Sequence, residues 1–212
     1  MGATNAPTSI VLIRHGESRA QVERFVSGHD TCTGLSDLGR AQALALRDRL
    51  LKTGELRDAT AAYTSVLPRA METAALIAPA IGDGLDADPH CDWCEQHPGE
   101  GEGLSWDEYD ERFGTFEERA DRSRRRAPGS ESVSDFVRRV DRALGRVVDR
   151  HVGERVVVVA HGGVVGCALE VLAGVPFGSV VRYVENTSIT EFIRDEDGRW
   201  WLARLNDAAH LG

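Results

Sequence analysis

Nothing in the 212-residue sequence approaches a run of about 20 apolar residues, so no membrane-spanning helix and no membrane partner are expected. A basic excess is missing too. The formal net charge is -9, whereas binding to a phosphate backbone usually comes with a basic stripe, so no nucleic-acid partner is expected. That balance leaves phosphorylated small molecules open, because a few arginines in one pocket can hold phosphate on an acidic protein. Cysteine is scarce, with four residues, and a chain of this length needs no disulfides for its core. No long Pro, Ser or Gly run and no internal repeat divides the chain, which predicts a single domain over residues 1–212. Residues 1–8 lack a basic stretch followed by an apolar run, so no signal peptide is expected and the cytoplasm is the expected compartment.

What is present has clear periodicity. Residues 9–13 (SIVLI) and 155–160 (RVVVVA) are continuous apolar runs rich in β-branched side chains, the pattern of buried strands. Ser36 can cap a helix to about residue 51, with Ala43, Leu46 and Leu50 on one face. Residues 61–64 read as a weaker strand, and Pro68 suits the first turn of a helix over 68–78. Residues 82–102 are rich in Gly, Pro and Asp, and 106–116 read as a helix; together they belong to an irregular and helical insertion at about 82–128. Residues 119–126 hold five arginines and one aspartate. They read as a solvated helix face, with guidance of anionic substrates as the functional alternative. Helical periodicity returns over 132–150 through Phe136, Val140, Ala143 and Val147, and again from 163 to about 172. Segments 187–194 and 199–205 flank Asp197-Gly198, a hairpin signal. This order predicts a mixed sheet covered by helices on both faces.

Each of the two strongest strands ends on a histidine beside glycine: Arg14-His15-Gly16 and His161-Gly162-Gly163. Glycine lets the backbone turn tightly and approach a ligand closely. An imidazole becomes a nucleophile when one nitrogen faces the reacting atom and the other is held by a hydrogen bond. Arg14, at a strand end, and Arg69, at a helix start, offer planar forks of donors suited to phosphate oxygens. On residues alone, the histidines could also be ordinary polar residues after strands, or could share a metal with an acid, though no compact H-E-x-x-H pattern is present.

The segment Leu12-Ile13-Arg14-His15-Gly16-Glu17-Ser18 resembles the signature of the histidine phosphatase superfamily, also called the phosphoglycerate mutase-like family. Further segments resemble that family in the same order. They are residues 36–43 (SDLGRAQA), 63–74 (YTSVLPRAMETA), 129–132 (GSES) and 158–163 (VVAHGG), so the resemblance covers about 10–190. It implies a three-layer α/β/α sandwich with a mostly parallel central sheet and a pocket at the carboxyl ends of its strands. It also implies a phosphomonoester hydrolase acting through a phosphohistidine intermediate on a small phosphorylated metabolite. His15 would be phosphorylated, and Arg14, Arg69 and His161 would hold the phosphate oxygens. No cofactor and no metal would be required. The general acid, commonly an acidic residue after the second arginine motif, would be Glu95 within residues 94–100 (CEQHPGE), with Asp92, Glu100 and Glu102 as neighbouring acids. Candidate substrate contacts are Gln21, where the family often has asparagine, Gly28 and His29, where it often has glycine and tryptophan, and Asn186.

Alternatives of other kinds remain. A cofactor-dependent phosphoglycerate mutase would use the same His15, but the mutases of this family are longer and carry an extended substrate-enclosing insertion. A non-catalytic phosphate-ligand binding protein would be expected to have lost His15 or a pocket arginine, and neither is lost. Residues His90, Cys91, Cys94 and His97 place four metal-ligand types in eight residues. A histidine directly beside Cys91 is awkward for one tetrahedral site, so reduced cysteines are the expectation, with structural zinc and a redox pair as lesser alternatives. Trp200-Trp201 leave a homodimer open, although one of the two should point inward in an alternating strand.

Overall fold

The computed structural model describes residues 6–115, 121–181 and 183–212. Six strands, β1 (Thr8–Arg14), β2 (Ala59–Thr64), β3 (Asp88–Pro89), β4 (Arg155–Ala160), β5 (Ile189–Arg194) and β6 (Trp200–Asp207), form one sheet in the order β3-β2-β4-β1-β5-β6. The first four positions run parallel, and β5 is antiparallel to both β1 and β6. The two continuous apolar runs are the central neighbours β1 and β4. They need apolar residues at every position because both faces are covered. Ile10, Leu12, Val156 and Val158 point into one core, and Val11, Ile13, Val157 and Val159 into the other.

The helices are α1 (Arg19–Glu23), α2 (Asp37–Thr53), α3 (Pro68–Ile77), α4 (Trp106–Phe113), α5 (Val133–Arg150) and α6 (Gly162–Ala173). Helices α5 and α6 cover the first core and α2 and α3 the second, giving the expected α/β/α layering. Ser36 and Ser132 accept from Gly39 N and Asp135 N, and so cap α2 and α5.

Two elements escaped the sequence reading. β3 is only two residues long. Helix α1 is one turn closed by a capping box between Ser18 and Gln21, too short to show apolar periodicity. The hairpin expected around Asp197-Gly198 is formed by β5 and β6, joined by a loop over 195–199. Gly198, at φ +79°, donates its N–H to Asp195 O, and Asp195 N donates to Arg199 O. Trp200 packs against the first core, whereas Trp201 is exposed and donates its Nε1–H to Asp195.

Candidate active site

The sheet register brings the chemistry together. β1 and β4 stay paired up to Arg14 and Ala160, and His15 N donates to Ala160 O at 2.9 Å. The next residue on each chain, His15 and His161, therefore emerges at the same edge, with ring centroids 5.0 Å apart. Ser65, directly after β2, joins them there, its N–H bonded to Val159 O. Arg69, in the first turn of α3, is buried and points its Nε–H between the imidazoles, 3.2 Å from His15 Nε2 and 3.3 Å from His161 Nδ1.

The hydrogen-bond network assigns the tautomers. His15 Nδ1 lies 2.6 Å from Gly16 O, so it carries the proton, and the Nε2 lone pair faces Arg69. His161 Nδ1 also faces Arg69, which leaves its Nε2–H to donate to Ser65 Oγ at 2.9 Å. Burial, then the positive charge of Arg69 and Arg14, holds His15 well below the ordinary histidine range, against the opposing pull of Gly16 O. Burial and Arg69 do the same for His161. Both shifts favour the neutral rings, and a neutral imidazole is the form that can act as a nucleophile.

Arg14 extends beside them, donating to Val184 O and lying 4.9 Å from the Tyr183 ring centroid. Its Nε is buried with no acceptor among the described residues. Gly16 must be glycine, because a Cβ there would stand 2.4 Å from Gly39 O at the start of α2. Asn186 is also placed here, but behind His15. Its Nδ2 donates to His15 O at 2.9 Å, and it also pairs with the Gln21 side chain. The next residue, Thr187, sits at φ +58°, a strained backbone for a β-branched residue. Its N–H is thereby aimed at Arg14 O and His15 O.

Glu95 faces His15 across two adjoining clefts of about 370 and 460 Å³ that share Arg14, His15, Glu95, Gly163 and Phe177. Its carboxylate accepts from Gly163 N at the start of α6, at 3.1 Å. A Cβ on Gly163 would stand 2.0 Å from that carboxylate, which explains the second glycine after His161. The backbone on both sides of Glu95 is gripped by buried Arg139. Its guanidinium donates to the carbonyls of Cys91, Asp92, Cys94 and Glu95 and pairs with Glu131 at 2.7 Å.

The structure thus gathers Arg14, His15, Arg69, Glu95 and His161 in one place. The substrate-side expectations fare differently. Gln21 lines the larger cleft, but its side chain also closes the α1 cap. The Gly28 N–H is bonded to Glu102 and Thr31, away from the cleft wall. His29 turns outward, with its Nε2 beside Cys91 and Cys94. Glu102, a neighbouring acid in sequence, holds this loop together. One carboxylate oxygen accepts from the N–H groups of Gly28, Asp30 and Thr31 and from the Thr31 hydroxyl. Asp92 is paired with Arg146. Within the arginine-rich run, residues 119 and 120 lie outside the described residues. Arg122 pairs with Glu170 and Arg125 with Asp135, whereas Arg126 reaches the larger cleft over the Tyr109 ring.

Ser27, Cys32 and Ser65 were missed in the sequence. The first two contact Arg69 Nη1 at 3.4 and 3.3 Å, and no local pattern marks them. Ser65 had a usable signal: like the two histidines, it immediately follows a strand. The four metal-ligand types also regroup. His90 turns to Asp88, and His29 takes its place beside Cys91, Cys94 and His97.

A family model described as the histidine phosphatase superfamily (branch 1) matches residues 10–208. Phosphoglycerate mutase-like protein 4 of Arabidopsis thaliana is 35% identical, over 95% of this chain and 86% of its own length. The metal-independent phosphoserine phosphatase of the same plant is 30% identical, over 96% and 83%. Among solved structures, Bacillus stearothermophilus YhfR superposes with a TM-score of 0.81 at 30% identity, covering 97% of this chain and 100% of its own. Mycobacterial glucosyl-3-phosphoglycerate phosphatase Rv2419c, in complex with VO3, gives a TM-score of 0.79 at 27% identity, over 94% and 99%.

Proposed function

The chain belongs to the histidine phosphatase superfamily, and from that premise we propose that it hydrolyses phosphate monoesters of small metabolites through a phosphohistidine on His15. The observation that carries the reading is the oriented nucleophile. His15 Nδ1 is tied to Gly16 O, and Nε2 is presented to the donors that a phosphate would meet. Nε2 attacks phosphorus and the ester P–O bond breaks, while Glu95 delivers a proton to the departing oxygen. Arg14, Arg69 and His161, protonated once a phosphate dianion is beside it, hold the non-bridging oxygens as charge redistributes. The Glu95 carboxylate then takes a proton from water, which attacks the phosphohistidine. The P–N bond breaks, and inorganic phosphate and neutral His15 result.

Cleft size and lining support a small substrate with an apolar portion, since Phe177 and Tyr183 wall one side and Phe25, Trp106 and Tyr109 the other. The named activities of the phosphoserine and glucosyl-3-phosphoglycerate phosphatases support the phosphatase branch. None of the described helices is long and apolar enough to cross a membrane, and a cytoplasmic enzyme is part of the proposal.

The test is a rapid acid-free quench after mixing with a radiolabelled phosphomonoester. Base-stable, acid-labile label on His15 is expected, with inorganic phosphate released in step with the alcohol. Transfer to added phosphoglycerate in preference to water would assign a mutase. Turnover with no phosphoenzyme would remove the proposal.

A further inference from the structure

We propose that His29, Cys91, Cys94 and His97 bind one zinc ion, which ties the loop carrying His29 to the segment carrying Glu95. The donor atoms of all four residues lie within 4.8 Å of one another. Zinc about 2.3 Å from sulfur and about 2.0–2.1 Å from nitrogen sets a tetrahedral S···N edge of about 3.6 Å. The observed edges are 3.4 Å for Cys91 Sγ to His29 Nε2, 3.6 Å for Cys91 Sγ to His97 Nε2 and 3.8 Å for Cys94 Sγ to His29 Nε2. The two imidazoles stand edge to face with ring centroids 5.2 Å apart, so both nitrogens converge without the rings stacking.

The set is assembled rather than local. Cys91 and Cys94 bracket a single 3-10 turn in which Cys94 N donates to Cys91 O at 3.0 Å. His97 follows on the same segment. His29 comes from a loop far away in sequence, and it displaces His90, the adjacent residue that would have strained a tetrahedron. On this proposal Cys91 and Cys94 are zinc ligands, in place of the ordinary reduced thiols expected from the sequence.

The surroundings suit a metal. Ser65 Oγ–H donates to Cys94 Sγ at 3.3 Å, the kind of outer hydrogen bond that steadies a thiolate ligand. Arg139 holds the carbonyls of Cys91, Asp92 and Cys94, so the ligand-bearing turn is already formed. Two thiolates and two neutral imidazoles balance the charge of a divalent ion, and a tetrahedral S2N2 donor set selects zinc. His29 and Cys91 are exposed, which gives the ion a path from solvent. The ion takes no step in the chemistry at His15. Its ligands flank Glu95 on both sides, so it acts as a positioning device for that residue.

Untagged wild-type protein, purified under reducing conditions, should carry about one zinc per chain by mass spectrometry. Cobalt substitution should give the strong visible bands and thiolate charge transfer of a tetrahedral S2N2 centre. His29→Ala and Cys91→Ser should lose that spectrum and weaken zinc affinity by more than the roughly 10–100-fold that loss of a supporting hydrogen bond costs. His90→Ala should keep both. His29→Ala alters only an exposed loop residue, so its binding can be read even if Cys91→Ser misfolds. Folded, reduced wild type that takes up no zinc or cobalt would overturn the proposal. So would a His29→Ala protein that binds zinc unchanged, or a Cys91–Cys94 disulfide as the resting state. None of these measurements depends on turnover, so they stand or fall separately from the phosphatase reading.

Discussion

His15 and His161 leave adjacent strands whose pairing runs in register to the residue before each. Glu95 and the His29 loop have no strand beneath them. They are held by Arg139, by Glu102 and, as proposed, by a metal. One half of the cleft is thus set by the backbone ladder and the other by side-chain clamps. In the proposed mechanism phosphate, the constant part of every phosphomonoester, meets the half set by the paired strands. The leaving group varies, and in the same mechanism it meets the half whose clamps can be changed one residue at a time.

The largest effect expected from breaking this comparison is at the ladder-built half. His15→Ala should lower kcat by about 10⁴-fold or more, on the scale of losing a nucleophile, while the urea unfolding midpoint is maintained. Near-full turnover in that variant would sink the assignment. On the clamped half, Glu95→Gln should slow phosphoenzyme formation from alkyl phosphates by about 10²–10⁴-fold. Nitrophenyl phosphate needs little help in leaving and should suffer far less. Single-turnover measurement is required, because in the proposed mechanism Glu95 serves both steps; equal losses with both substrates would argue against the leaving-group role.

Arg139→Lys sharpens the contrast between halves. Lysine keeps the charge but cannot reproduce the fork across four carbonyls. We expect alkyl-phosphate turnover to fall about 10–100-fold through misplacement of Glu95, with the same bias toward good leaving groups. A uniform loss with every substrate would place Arg139 in general stability instead.

The smallest effect concerns pH and stability. His15 and His161 have folded pKa values held well below the unfolded histidine value of about 6.5. Below that pH the unfolded chain takes up protons that the folded site refuses, so stability is fully present above about 6.5 and declines as pH falls further. Urea midpoints measured from neutral toward acid pH should fall, and His15→Asn should flatten part of the decline. An identical slope in the variant would remove His15 from that account.

The ladder-built half was legible in the sequence because strand, histidine and glycine are contiguous, and buried runs such as residues 155–160 leave little ambiguity about where a strand ends. The family resemblance added the roles. The clamped half was read less well because its contacts join segments far apart. Gly28 and His29 were placed by resemblance against the substrate, yet Glu102, more than seventy residues away, draws the Gly28 backbone to itself. His29 likewise meets Cys91 across an interval of 62 residues. Glu102 stood out only as an acid neighbouring Glu95, since nothing near it in sequence reveals four donors arriving from another loop.

The single Arg69 N–H shared between His15 Nε2 and His161 Nδ1 should make binding of an anion there a proton-coupled event. An arriving dianion takes over that donor and brings negative charge beside imidazoles that were held neutral. Binding should therefore draw a proton from solution. By linkage, a dianion whose own charge does not change with pH, such as sulfate, should bind more tightly as the medium becomes more acidic. Calorimetry in buffers of different ionisation enthalpy should register the uptake directly, with the buffer losing what the histidine pair gains.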